Sequence, residues 1–247
     1  MDKLSITACV IIIGNEILSG RTQDENLSFL GKRCDESGIH LTEARVIPDD
    51  EAVIVATINE VRNKHTYVFT TGGIGPTHDD ISTAAIAKCF KVKIERNPAA
   101  VAAMEKYYEA GKLNEARLKM ADIPAGAMLI DNPVSGAPGF QIENVFVLPG
   151  VPMIMQVMFD GLVDRLTGGL PILTDSIVTN LTEGTLAEGL SALQDKYPAV
   201  SIGSYPYFKQ GKLGVNLVIR STDKDALVNS GEDIAALVTS LQGRILG

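Results

Sequence analysis

Tyr67-Val68-Phe69-Thr70-Thr71-Gly72-Gly73-Ile74-Gly75-Pro76-Thr77-His78-Asp79-Asp80 carries an apolar, β-rich run into a glycine turn and then into a helical pattern through Ile81, Ala84, Ala85, Ala87 and Lys88. A short run with no polar alternation reads as a strand buried on both faces of a parallel sheet. The turn behind it sits where such a strand meets its helix.

Upstream, Ile6 to Ile13 is a second run of this kind, stopped by Gly14. Leu27, Leu30 and Cys34 then give a helical spacing that closes near Gly38, and Ile39 to Val46 reads as a strand. Pro48-Asp49-Asp50 is a turn able to cap a helix through Val53, Ile54, Ala56, Ile58 and Val61. This alternation predicts a three-layer αβα domain with a mostly parallel sheet. Downstream, Asn97 to Met120 reads as helical with a break at Gly111, and Met128 to Ile130 as a strand. The turn-rich patch Asn132 to Gly139 follows. Phe140–Ile142 and Val145–Leu148 form a hairpin, and a methionine-rich helix runs from Ile154 to Leu166. Gly168-Gly169-Leu170-Pro171 marks a boundary, dividing the chain into an αβα domain at 1–169 and a small α+β domain at 170–247. The second part reads strand (Asp175–Asn180), helix (Thr185–Lys196), strand (Val200–Ser204), strand (Gly214–Arg220), helix (Lys224–Leu241).

The 247 residues suffice for a core without staples, and 22 basic against 30 acidic residues leave a net charge of −8. No basic footprint for nucleic acid exists overall. Anionic small molecules stay within reach, since backbone N–H groups and metal ions bind phosphate without surplus lysine or arginine. Cys9, Cys34 and Cys89 are too scattered for a disulfide framework or a paired metal motif, and read as reduced thiols. The run Leu4 to Ile13 is too short to span a membrane, and no other stretch reaches that length. The expectation is a cytoplasmic protein with no membrane or nucleic-acid partner.

The glycine turn leaves two readings open. Without Cβ atoms, Gly72, Gly73 and Gly75 admit a ligand to the backbone, and the helix start behind them offers N–H donors to a phosphate. Asp79 and Asp80 would repel that phosphate unless a cation such as Mg²⁺ lay between. Alternatively the segment is a tight turn with Asp80 as a helix cap. Gly14-Asn15-Glu16 and Pro48-Asp49 follow two other strands, and Pro149-Gly150 a third, so four such loops are expected on one sheet edge. Taken singly, Glu16 reads as a solvated charge and Asp49 as a cap. Asn132 and Gly136 belong either to a loop that meets a ring edge or to a plain turn. His78 ranks low, and Met153, Met155 and Met158 read as core or as an oligomer contact.

Taken together, Gly14-Asn15-Glu16-Ile17-Leu18-Ser19-Gly20 with Asp24 and Asn26, Pro48-Asp49, and Thr71 to Asp80 resemble the molybdopterin-binding (MoCF biosynthesis) domain. Asn132-Pro133, Gly136-Ala137-Pro138-Gly139 and Leu148-Pro149-Gly150-Val151-Pro152 make the chain most similar to the N-terminal part of CinA proteins and the matching domain of eukaryotic FAD synthases. Ile202-Gly203-Ser204-Tyr205-Pro206 resembles the small domain that follows in FAD-synthase-like proteins. The resemblance implies a pterin or nucleotide ligand bound with a divalent metal, Mg²⁺ or Co²⁺. It implies hydrolysis of the pyrophosphate of ADP-ribose or FAD, or else adenylylation of molybdopterin; a non-catalytic binding module is the third reading. Asp80 and Asp49 would be catalytic. Asp80, Asp79 and Glu16 would face the metal. Thr71, Gly72, Gly73, Gly75, Pro76, Thr77, Gly14, Asn15, Asn132, Gly136 and Gly150 would contact the ligand, and relatives imply a homo-oligomer. One departure stands out: Ile154 occupies a place where the CinA pattern has a glutamate.

Overall fold

In the first strand, β1 (Thr7–Ile13), every residue from Ala8 onward is buried, and successive side chains leave for opposite faces. A computed structural model describes residues 6–109, 111–209 and 211–246; Leu4 and Ser5 of the N-terminal run, and Ala110, lie outside them. The chain divides into two compact units, 1–169 and 170–247.

The first unit continues with a one-turn helix α1 (Asn15–Leu18), then α2 (Asn26–Glu36), β2 (His40–Ile47), α3 (Glu51–Val61), β3 (Tyr67–Thr71) and α4 (Ser82–Phe90). The central sheet adds β6 (Met128–Ile130), β7 (Gly139–Ile142) and β8 (Val145–Leu148), and α7 (Pro152–Leu162) closes the unit. The six strands lie in the order β2-β1-β3-β8-β7-β6; the first four are parallel and β7 is antiparallel to both its neighbours. Cys9, Ile11 and Ile13 pack on one face with Ile54, Ile58, Ala85 and Ile86 of α3 and α4. Ala8, Val10 and Ile12 pack on the other with Leu30, Cys34, Met155 and Phe159 of α2 and α7. That is the αβα sandwich. Phe159 meets Phe69 edge-on with ring centroids 5.2 Å apart, anchoring α7 over β3. From β1 the chain steps to one side to form β2 and then to the other to form β3. A crevice therefore opens where the carboxyl ends of β1 and β3 diverge.

Two expectations for this unit change. The stretch Asn97 to Met120 is not one interrupted helix: Asn97 caps α5 (Pro98–Glu105) through Ala99 and Ala100, and Asn114 caps α6 (Glu115–Leu118) through Arg117. Each asparagine starts its own short helix. A two-stranded ribbon, β4 (Ile94–Arg96) with β5 (Asp122–Pro124), brackets the pair. The methionine-rich helix starts at Pro152, in the first-turn position proline favours, and ends at Leu162 in a 3₁₀ turn.

The second unit comprises β9 (Leu173–Thr179), α8 (Glu183–Lys196), β10 (Ser201–Lys209), β11 (Lys212–Ser221), α9 (Lys224–Ser240) and β12 (Ile245–Leu246). Its antiparallel sheet, ordered β10-β11-β9-β12, packs Val215, Leu217 and Ile219 against Leu186, Ile234 and Val238 of the helices. β10 runs well beyond Ser204 because it lies at the sheet edge, where Pro206 costs no ladder hydrogen bond. Among the described residues, no helix is long and apolar enough to cross a membrane.

Candidate functional site

The residues around the β1–β3 crevice are held close together by backbone. Gly72 donates its N–H to Leu148 O at 3.1 Å, and Gly14 donates to Ile47 O at 3.1 Å. Gly72 has φ near +105°, and a Cβ there would strike the Ile13 carbonyl; at Gly73, with φ near +69°, it would strike Ser82 Oγ. Ser82, fully buried at the start of α4, donates from Oγ to Gly72 O at 2.9 Å, while its N–H donates to Gly73 O at 2.9 Å. The glycine turn is thereby clamped onto the amino terminus of α4.

A cleft of about 510 Å³ opens over this turn. Its lining includes Glu16, Gly72, Gly73, Ile74, Gly75, Pro76, Asp80, Asn132, Gly150 and Ile154. It thus gathers residues from behind β1, β3, β6 and β8. Two carboxylates and four glycines face it, and among the described residues no lysine, arginine or histidine does. Each carboxylate lies over a glycine: a Cβ on Gly14 would come within 2.6 Å of Glu16 Oε1, and one on Gly75 within 2.6 Å of Asp80 Oδ2. The Glu16 side chain has no hydrogen bond or ion pair among the described residues. Asp80 Oδ2 accepts from Thr77 N at 2.8 Å and from the Thr77 hydroxyl.

Asp80 is therefore not the helix cap. Ile81 holds that position and makes no side-chain bond, while Asp80 closes the turn on Thr77. Asp50, not Asp49, caps α3 by accepting from Val53 N at 2.9 Å. Asp49 instead accepts from Asn15 N at 2.8 Å, fixing the Glu16 loop without lining the cleft. Gly14, Asn15, Thr77 and Gly136 are likewise not among the residues that line it. Asp79 and His78 are on the outer, exposed side of the turn. Asn132 spends its side chain inside its own loop: Nδ2 donates to Ser135 Oγ and Ala137 O at 2.8 Å, and Oδ1 accepts from Val134 N and Ser135 N. The plain-turn reading fits that side chain.

A smaller niche of about 60 Å³ adjoins, lined by Glu16, Thr22, Asp24, Asn26, Thr71 and Gly150 among others. Asn26 donates from Nδ2 to Gly150 O at 2.9 Å, yet its Oδ1 and the Thr71 Oγ1 are buried without a partner. Buried oxygens left in this state cost free energy unless a ligand, ion or water completes them. Glu16 lines both spaces, and Asn26 and Thr71 line the niche, so the orphaned oxygens belong to an oxygen-rich recess adjoining the cleft. Sequence reasoning missed Ser82, Thr22 and Lys119. Lys119 donates to Thr77 O at 2.5 Å and Asp80 O at 3.1 Å, bracing the turn from about forty residues away. No local motif signals that contact.

Residues 9–168 match the family model described as a probable molybdopterin binding domain, and residues 171–242 match one described as FAD synthase, middle domain. A curated protein of Archaeoglobus fulgidus is 33% identical over 218 residues, covering 87% of this chain and 91% of that one. A Caenorhabditis elegans protein named probable FAD synthase is 30% identical over 270 residues; the match takes in 98% of this chain and 50% of that longer protein. The crystal structure of the protein CinA from Thermoplasma acidophilum, titled as of unknown function, superposes with a TM-score of 0.60 at 34% identity. It covers 64% of this chain and 98% of that one.

Proposed function

The chain belongs to the molybdopterin-binding domain family, in the CinA-like group with an FAD-synthase-type middle domain behind it, and on that premise we propose that its cleft hydrolyses the pyrophosphate of a dinucleotide. ADP-ribose and FAD are the substrates proposed, with Mg²⁺ or Co²⁺ as the cofactor. One observation carries this reading: the cleft presents bare glycine backbone beside two carboxylates, and no basic side chain is among the described residues that line it. A divalent cation resolves that conflict, and the cleft's volume of about 510 Å³ falls in the range of small-molecule sites, roughly 300–1,000 Å³.

Gly72, Gly73 and Gly75 let the diphosphate approach the main chain, aided by the positive end of α4. Glu16 and Asp80 would hold the metal, which when bound neutralises phosphate charge as a Lewis acid. Thr77 keeps Asp80 turned into the cleft, and Asp49 acts as a positioning residue by holding the Asn15 amide. Water adds its oxygen to one phosphorus, the bridging P–O bond breaks and the departing phosphate oxygen takes up a proton, giving AMP and ribose 5-phosphate from ADP-ribose, or AMP and FMN from FAD. The second reading, binding without turnover, draws on Ile154: its apolar side chain lines the cleft where the CinA pattern has a glutamate. We further propose a cytoplasmic homo-oligomer in contact through the outer stripe of α7, where Val151, Met153 and Val157 are exposed.

The test is AMP release from ADP-ribose and from FAD, with and without Mg²⁺ or Co²⁺. Metal-dependent turnover with either substrate is expected. Ligand-induced thermal stabilisation with no turnover would replace this reading with the binding module, and activity requiring ATP and molybdopterin together would replace it with adenylyl transfer.

A further inference from the structure

β1 and β2 pair in step at Thr7 with His40 and at Ala8 with Leu41, and then the register slips so that Cys9 faces Glu43. Thr42 is the residue left over. Such bulges are rare in parallel pairs, and they re-aim side chains. Here Leu41 packs on the α2 and α7 face, while Glu43 lies beside Cys9 toward the α3 face. His65, behind α3, completes the group: its Nε2 is 3.0 Å from Glu43 Oε2, and its Nδ1 is 3.2 Å from Thr42 Oγ1. That hydroxyl in turn reaches Ala8 O at 3.4 Å. Cys9 is fully buried, the His65 side chain is 9% exposed, and Glu43 opens to solvent on one side.

We propose that Cys9, Glu43 and His65 form a binding site for a zinc-type transition-metal cation, separate from the cleft and lying toward the opposite end of the same strands. Three features carry it. Sulfur, nitrogen and oxygen donors from three chain segments all lie within 4.8 Å of one another, the one such group among the described residues. A cation at their centre would stand no more than ~2.8 Å from each donor, against zinc bonds of ~2.0–2.3 Å, a gap that side-chain rotation closes. The bulged Thr42 contacts the second ring nitrogen of His65, the outer contact that metal-bound histidines use to fix ring orientation. The mixed thiolate and imidazole set selects zinc over magnesium, and solvent beside Glu43 supplies a fourth position. The surrounding charges are Arg45, 2.5 Å from Glu43 Oε1, and Glu60, which Arg45 also pairs. Arg45 takes one Glu43 oxygen, and Oε2 is the one facing the metal. As the metal–sulfur bond forms, the Cys9 sulfhydryl proton leaves to solvent, so charge and atoms balance.

The experiment is a Co²⁺ titration of the metal-stripped, reduced protein, followed by Zn²⁺. One equivalent of Co²⁺ should raise a thiolate-to-cobalt charge-transfer band in the near ultraviolet, and Zn²⁺ should bleach it. The band should vanish in Cys9→Ser and in His65→Gln. No band in the wild type, or a band that survives in Cys9→Ser through Cys34 or Cys89, overturns the proposal. Should Cys9→Ser fail to fold, His65→Gln decides alone, and an undiminished band there overturns it as well. No cysteine or histidine is among the described residues that line the cleft, so this thiolate signal succeeds or fails independently of pyrophosphatase activity.

Discussion

In the first unit, parallel β1, β3 and β8 end side by side, and the chain leaves each one through a glycine-containing loop. In the second, β10 turns straight back into its antiparallel partner β11, Lys209 opposite Lys212, while β9 and β11 run on into α8 and α9. The difference shows in what is left over. Among the described residues, the first unit keeps the Thr71 hydroxyl and the Asn26 amide oxygen buried without a partner, in the niche that adjoins its cleft of about 510 Å³. The second keeps Asn216 Oδ1 without a partner among the described residues, but a groove there, along α8 and β10, places Glu183 against Ser204 at 2.8 Å and gathers no glycine turn. Parallel topology gathers strand ends on one edge where a ligand can reach them; a hairpin such as β10–β11 spends its strand ends on the turn.

That contrast can be broken by substitution. Leu217 is fully buried in the second unit, so Leu217→Ala should cost about 2–5 kcal/mol in denaturant unfolding of that unit, with ligand binding at the cleft unchanged. A loss of affinity there would mean that the two regions are not separate in function. Gly72→Ala should cost at least ~2 kcal/mol, since it adds left-handed strain to a collision with Ile13 O, and it should weaken ligand binding as well. An alanine variant of full stability and affinity would remove the close-approach argument. Lys119→Met should lower turnover roughly tenfold or less through a looser Thr77–Asp80 turn, about 1 kcal/mol, with little change in melting temperature.

The smallest effect concerns surface charge far from the cleft. Hydrogen bonds from Arg45, then Lys64, hold the Glu60 carboxyl down at about 2 from its ordinary 4.5. A depressed carboxylate contributes stability above its unfolded value, and that contribution is lost as pH falls through the folded one. The wild type should therefore lose stability between about pH 4.5 and 2, and Glu60→Gln should flatten part of that slope, measured by thermal melts across pH. An identical slope in the variant would show that solvent screens the pair out.

The elements at the strand ends were the most legible part of the sequence. Tyr67–Thr71 and the glycines after it announced a buried strand meeting a helix, because strand burial and turn chemistry are both local. The Asn97–Met120 stretch was misread for the same reason, its caps being single asparagines within an otherwise helical composition. Which aspartate does what was not legible. Asp49 and Asp50 are adjacent, yet one caps α3 and the other reaches Asn15, a choice set by where β1 and β2 end together in space. Likewise Asp79 and Asp80 differ only in the direction that the Thr77 turn gives them. Long-range braces such as Lys119 exist only once the sheet is assembled.

That pair of neighbouring aspartates offers the most direct test of the central claim, that the cleft over the glycine turn is where a dinucleotide is cleaved. AMP release from ADP-ribose and FAD is measured with Mg²⁺ or Co²⁺ for the wild type, Asp80→Asn and Asp79→Asn. The account predicts a loss of at least a hundredfold in Asp80→Asn, ~2.7 kcal/mol of barrier, and near wild-type turnover in Asp79→Asn. Equal losses in both variants, or undiminished turnover in Asp80→Asn, would contradict it.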